Sequence, residues 1–169
     1  MIHVCSLARL YATVDETKAR HIVTLLRLTD RVARPAHIAA DRHLILSVDD
    51  IVGEPAEGQT LPGKDHVERL IAFVQAWDRS APMVVHCFAG ISRSTAAAFV
   101  AACALNPARD EADIAQVIRK ASPTAAPNTR IVAVADKMLG RDGRMVRAVK
   151  KLGPARMAEE GHPFRLDLE

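Results

Sequence analysis

The sequence predicts an α/β domain built on a mostly parallel central sheet of four to five strands flanked by helices. Three observations carry this. Short, partly β-branched apolar runs alternate with stretches of helical periodicity, the pattern of strands joined by crossover helices. One run, Met83-Val84-Val85, is apolar throughout, as a central parallel strand covered on both faces must be. The chain of 169 residues, with 49% hydrophobic and 25% charged side chains, suits a single core of ordinary composition.

Residues 2–7 and 22–28 (IVTLLRL) are expected as strands, with a brief helical turn over 14–20, opened by Asp15, between them. Residues 44–48 (LILSV) follow as a third buried strand. The segment 51–63 holds three glycines and two prolines and reads as a loop able to move. A helix is expected from Asp65, with Glu68 as a capping-box-like partner and Leu70, Val74 and Trp77 forming one buried face at i, i+4 and i+7. After Pro82 comes the central strand, with His86 and Cys87 at its carboxyl end. Residues 94–105 (STAAAFVAACAL) have almost no polar face, so this helix is expected to be buried nearly all round and to stop at Asn106-Pro107. Amphipathic helices are expected over 110–121, 128–139 and 142–152, the last two closed by Gly140 and Gly153. On this reading the domain spans 1–153 and a C-terminal tail spans 154–169.

Composition narrows the function classes. A net charge of +3 is mild, and 4% aromatic residues leave few rings for base stacking, so nucleic-acid binding is not indicated. No segment reaches about 18 uninterrupted apolar residues, and residues 1–10 lack the basic start, apolar run and cleavage site of a secretory signal; no membrane association is expected. Cys5, Cys87 and Cys103 form no spaced disulfide framework, and the reducing cytoplasm is the expected compartment. Cys5 and Cys103 are expected as small core residues, a resolving partner for oxidised Cys87 being the alternative. The histidines show no paired ligand spacing, so no metal and no other cofactor is expected. Arg144, Arg147, Lys150 and Lys151 recur at helical spacing and read as a solvated basic face.

One stretch carries chemistry. His86-Cys87-Phe88-Ala89-Gly90-Ile91-Ser92-Arg93-Ser94 reads H-C-x-x-G-x-x-R-S between an expected strand and an expected helix. A short loop feeding a helix N-terminus aims successive backbone N–H groups and the positive end of the helix dipole at one point, which makes an anion cradle. Gly90 supplies the backbone freedom so tight a loop needs. Arg93 adds a planar, permanently charged fork that grips two phosphate oxygens at once, a geometry lysine lacks. The same positive field favours a thiolate, the nucleophilic form of cysteine, at Cys87. A thiolate where phosphate binds points to attack on phosphorus and a covalent phosphocysteine. Ser94, in the first helical turn, is placed to hydrogen-bond the Cys87 sulfur as it leaves in the second step, and His86 to order the Cys87 backbone. The leaving oxygen needs a proton. A carboxylic acid at the carboxyl end of a neighbouring parallel strand is the expected donor, and Asp49 and Asp50 both meet that requirement.

HCFAGISRS resembles the catalytic loop of the cysteine-based protein tyrosine phosphatases, and HLILSVDDI followed by a loop, a helix and MVVHCFAGISRS is similar to their dual-specificity branch. The resemblance covers residues 22–105, with Pro127-Asn128 similar to the family's C-terminal pattern. It implies a protein tyrosine phosphatase-like fold and hydrolysis of phosphomonoesters, phosphotyrosine foremost with dual specificity as an extension. It assigns phosphate binding to Phe88, Ala89, Gly90, Ile91, Ser92 and Arg93, and places the general acid at Asp50, with Asp49 second. The substrate is then a phosphorylated protein or a small phosphoester. The loop carries no lysine, which counts against a highly charged phosphoinositide head group. Two other readings stand beside this one. A rhodanese-type sulfurtransferase also holds a cysteine in an anion-binding loop, but Ser94 and the helix after it favour a phosphatase. A non-catalytic phosphate-binding module is the other, against which stand an intact Cys87, Arg93 and candidate acid.

Overall fold

Strands β1 (Ile2–Ser6), β2 (His21–Leu26), β3 (His43–Ser47) and β4 (Met83–Cys87) form in the computed structural model, which describes residues 1–168. They occupy the apolar runs because each of those runs can be walled in from both sides. Every residue of β2 and β4 is buried, whereas β3, at the edge of the sheet, is only partly so. The strand order is β3-β2-β4-β1-β5, with β2/β3, β2/β4 and β1/β4 parallel. The fifth strand, β5 (Phe164–Leu166), runs antiparallel to β1, so the sheet is mixed.

β5 lies in the segment expected to be a tail from residue 154 onward. Its pattern explains the difference: Phe164, Leu166 and Leu168 are buried while Arg165 and Asp167 between them face solvent, the two-residue period of a strand with one wet face. Phe164 pairs with Val4 and Leu166 with Ile2, which covers the β1 edge that would otherwise present unpaired backbone groups.

Helix α1 (Leu10–Thr17) covers one face of the sheet; α2 (Lys64–Ala76), α3 (Arg93–Leu105), α4 (Glu111–Ala121), α5 (Thr129–Met138) and α6 (Arg144–Lys151) cover the other. The alternation of strand side chains decides which layer each joins. Met83, Val85 and Cys87 belong to the large core beneath α3, while Val84 joins the small core with Leu10 and Val14 of α1. Helix α3 is buried from Arg93 to Cys103, and its alanines let its backbone lie close to the sheet around Phe99. Burying a side chain of that size contributes about 1.5–3 kcal/mol.

Three helix starts differ from expectation, each because a local hydrogen bond outcompetes the sequence signal. The first helix begins at Leu10, not near Asp15: the Ser6 hydroxyl accepts from Arg9 N–H at 3.3 Å and opens a short 3-10 turn that runs straight into α1. Helix α2 uses no Asp65–Glu68 box; Gly63 is its N-cap and donates its N–H to Nδ1 of His66 at 3.1 Å. Helix α6 starts at Arg144 because Asp142 and Gly143 both take positive φ, and the Asp136 carboxylate reaches from α5 to accept from the N–H groups of Gly143, Met145 and Val146. The four parallel strands end on one edge of the sheet at Ser6, Leu26, Ser47 and Cys87, and open α/β sheets gather their sites along such an edge.

Candidate active site

β4 delivers Cys87 to that edge and α3 begins at Arg93, so the five residues between them must turn sharply over the end of β1. Gly90 makes the turn with φ of 73°, and a Cβ there would lie 2.8 Å from the backbone carbon of Cys5 and from the nitrogen of Ser6. Glycine is required twice, for its dihedral and for the close approach. The carbonyls of Phe88, Ile91 and Ser92 are held by surrounding backbone, accepting from the N–H groups of Leu7 (3.1 Å), Ala126 (3.0 Å) and Asn128 (3.2 Å). A peptide group is planar and trans, so fixing a carbonyl outward turns the next residue's N–H the other way, into the cradle.

The Cys87 sulfur lies at the base of this loop, 3.1 Å from the Ser94 hydroxyl and 3.3 Å from the N–H of Gly90. Arg93 is only 7% exposed; one terminal nitrogen donates to the Val48 carbonyl at 2.9 Å, and its buried Nε–H has no partner among the described residues. Buried donors are almost always satisfied, so an orphaned guanidinium N–H beside a ring of backbone N–H groups marks the position of an anion's oxygen. The first turn of α3 points the same way. Ser92, its N-cap, makes no side-chain cap, which leaves the first helical N–H groups available.

Two carboxylates follow β3, and the structure separates them. Asp50 Oδ1 accepts from the Ser92 hydroxyl at 2.7 Å and from the Asn128 side-chain amide at 2.8 Å, which sets an exposed acid against the rim of the loop. Asp49 is clamped to the far side of its own loop: Oδ2 accepts from Thr60 N–H at 2.7 Å, and its N–H donates to the Thr60 carbonyl at 2.9 Å. Thus Cys87, Arg93, Ser94, the 88–92 loop and Asp50 converge, and Asp49 does not join them. Sequence reasoning missed Asn128 as the link; the only signal was its place after Pro127 at a helix start.

Residues 56–124, which include the loop, match the protein-tyrosine phosphatase family. Over these residues the chain resembles the cysteine-based protein tyrosine phosphatases. Its reaction class is phosphoester hydrolysis. The fold agrees with solved dual-specificity-type phosphatases. The structure of DUSP15 is similar at a TM-score of 0.65 and 20% identity over 94% of each chain. Human DUSP28 is similar at 0.62 and 19% over 83% of this chain and 92% of that one. PTPMT1 in complex with PI(5)P is similar at 0.63 and 15% over 88% of this chain and 94% of that one. No curated protein matches the sequence.

On the opposite face of the sheet the phosphatase carries a chain of side chains behind its loop. His86 Nδ1 lies 3.4 Å from the Cys87 carbonyl, His86 Nε2 lies 2.7 Å from the Thr24 hydroxyl, and that hydroxyl lies 2.8 Å from His43 Nε2. A carbonyl only accepts, so Nδ1 of a neutral His86 carries the proton, Thr24 donates to Nε2, and His43 donates to Thr24. Burial pushes the His86 pKa down to about 4; contact with the Cys87 carbonyl works against this, and His43 and Arg93 reinforce it. His86 is thus a neutral brace for the Cys87 backbone. Neither Thr24 nor His43 stood out in the sequence, because their value lies in pairing between strands.

The phosphatase's other cysteines stand apart from Cys87. Cys5 packs in the small core with α1, on the other face of the sheet from Cys87, and Cys103 sits near the far end of α3. Burial pushes both thiols up to about 12. Cys5 and Cys103 are core residues, and neither is placed to resolve an oxidised Cys87.

Proposed function

We propose that the chain dephosphorylates phosphotyrosine in proteins, with dual specificity toward phosphoserine and phosphothreonine as an extension. The observation that carries this is the sulfur of Cys87 lying under the Gly90 N–H and beside Ser94, next to the unpartnered Nε–H of Arg93. In the first step Cys87 attacks phosphorus, Arg93 and the loop N–H groups hold the equatorial oxygens, and Asp50 gives its proton to the leaving oxygen. In the second, the Asp50 carboxylate takes a proton from water, water attacks the phosphocysteine, and the Ser94 hydroxyl stabilises the departing thiolate.

A macromolecular substrate is supported by a groove of about 500 Å³ beside the loop, reached past Ser92 and Asn128 and walled by Val52, Pro127, Val149 and Pro154. It has room for the chain flanking a phosphorylated residue. A phosphoinositide occupies the related PTPMT1 structure, whereas here Phe88, Ala89, Ile91 and Ser92 add no cation to Arg93. The site is proposed to act in the cytoplasm, where Cys87 stays reduced.

The test is turnover of p-nitrophenyl phosphate by the wild type and by Cys87→Ser, followed by a panel of phosphopeptides and phosphoinositides. Loss of turnover in Cys87→Ser and preference for phosphotyrosine peptides are expected. Equal rates in the two proteins would refute the mechanism, and preference for phosphoinositides would refute the substrate.

A further inference from the structure

The Ala89 carbonyl, in the middle of the loop, is held from an unexpected direction. Gly161 N–H donates to it at 2.9 Å, from the segment that leads into β5. That segment is fixed on either side of the contact: Arg156 N–H donates to the Pro123 carbonyl at 2.9 Å, the Ser6 hydroxyl donates to Glu160 Oε1 at 2.5 Å, and β5 is laced to β1. Ser6 is the register partner of Cys87, so the Glu160 contact ties the segment to the strand beside the nucleophile. Gly161 is buried, and a Cβ on it would come within 2.8 Å of the Gly90 carbonyl oxygen and 3.3 Å of the Thr124 hydroxyl.

The Ala89 carbonyl and the Gly90 N–H belong to one peptide group. That group is planar and trans, so its two ends point in opposite directions. Gly161 grips the outward end; the inward end donates to the Cys87 sulfur at 3.3 Å. A hydrogen bond to a peptide carbonyl also polarises the N–H at the other end of the same group. We infer that residues 154–163 form a strap that belongs to the active site, with Gly161 as a positioning residue that aims the Gly90 N–H at the sulfur and at the oxyanion developing on phosphorus. This rests on the cysteine mechanism proposed above.

The experiment replaces Gly161 by glycolic acid in the full-length chain, which turns one amide into an ester, removes the N–H and adds no atom. Gly161→Ala serves as the harsher variant and Ile45→Ala, an exposed position at 47% on the edge strand β3, as the control. For the ester protein the expected result is a roughly tenfold lower kcat on p-nitrophenyl phosphate with KM within about twofold, and a matching roughly tenfold weaker inhibition by orthovanadate, which mimics the transition state. Inhibition by inorganic phosphate and the melting temperature stay close to wild type, as do the kinetic values for Ile45→Ala. An ester protein with wild-type kcat and wild-type orthovanadate inhibition overturns the inference, as does a rise in KM at constant kcat. The two readings fail separately: an active Cys87→Ser removes the mechanism, whereas an inactive Cys87→Ser beside a fully active ester protein removes only the strap.

Discussion

The Asn128 side-chain amide donates to Oδ1 of Asp50 at 2.8 Å across 78 residues of sequence, while Asn128 Oδ1 caps α5 by accepting from the N–H groups of Arg130 and Ile131. One side chain thereby joins the loop after β3 to the start of a helix. The carboxylate proposed as general acid is held from two sides, by Asn128 and by Ser92 of the phosphate loop.

Asp50→Asn is expected to lower kcat by about 10²–10³-fold, within the usual range for removing a general acid. The loss grows with the pKa of the leaving alcohol, because a poor leaving group depends most on protonation. A series of substituted phenyl phosphates measures this slope. Asp49→Asn, which perturbs only the Thr60 clamp, should keep kcat within a few-fold; an equal loss at the two positions would move the acid assignment. Asn128→Ala should cost about 1 kcal/mol through the lost cap and lower kcat by less than Asp50→Asn.

Arg93→Lys keeps the charge and removes the fork. The guanidinium donates to Val48 and presents a free Nε–H to the cradle, two directions that a single ammonium cannot serve. The expected loss in kcat/KM is about 10²–10³-fold, the scale for removing one donor to a transition-state oxyanion. Steady-state kinetics on p-nitrophenyl phosphate measure it. A lysine variant within a few-fold of wild type would show that charge alone suffices.

Most of this arrangement was legible in the sequence, for a physical reason. A strand buried on both faces, a glycine-bearing turn and an all-round apolar helix are local patterns, and HCFAGISRS packs the proposed nucleophile, cradle and clamp into nine consecutive residues. The illegible parts come from contacts between distant segments. Thr24 and His43 matter only because β2 lies between β3 and β4, and Asn128 because α5 starts beside the loop after β3. The strand at Phe164–Leu166 was missed because three residues are too few for alternation to stand out before a partner edge is known.

The cysteines give a chemical test of the site. Cys5 and Cys103, buried and pushed up to about 12, remain thiols at neutral pH. The Cys87 sulfur instead lies at the base of the anion-binding loop, against the Gly90 N–H and the Ser94 hydroxyl. Substoichiometric iodoacetamide at pH 7 should therefore alkylate Cys87 alone and abolish activity in proportion, with Cys5 and Cys103 reacting only after unfolding. Peptide mapping by mass spectrometry reads the outcome; early labelling of Cys5 or Cys103 in the folded protein would contradict it. Mild peroxide should likewise yield no Cys87–Cys5 disulfide, because the two side chains lie on opposite faces of the sheet.

His86 sets a pH dependence of stability whose sign follows from its surroundings. In the unfolded chain the ring titrates near 6.5, and in the folded protein burial lowers this to about 4. Between those values the unfolded state binds more protons than the native state, so stability falls as pH drops from about 6.5 to about 4 and the loss levels off below. A difference of this size corresponds to about 3 kcal/mol for a fully buried ring. His3, His21, His43 and His66 are also shifted downward, each led by burial, and act in the same direction. Burial raises the Glu111 carboxyl, but hydrogen bonds from its backbone N–H, Arg144 and Arg141 outweigh this and hold it below the ordinary 4.5, so its contribution is lost as pH falls below about 4.5. His86→Asn substitutes a neutral amide for the titrating ring. It should be less stable than wild type at pH 7, because the Thr24–His86–Cys87 contacts are disturbed, yet lose less stability between pH 7 and pH 4.5. Urea unfolding at pH 7, 5.5 and 4.5 measures both slopes; parallel curves for the two proteins would mean that His86 is protonated in the native state well above pH 4 and does not act as the neutral brace.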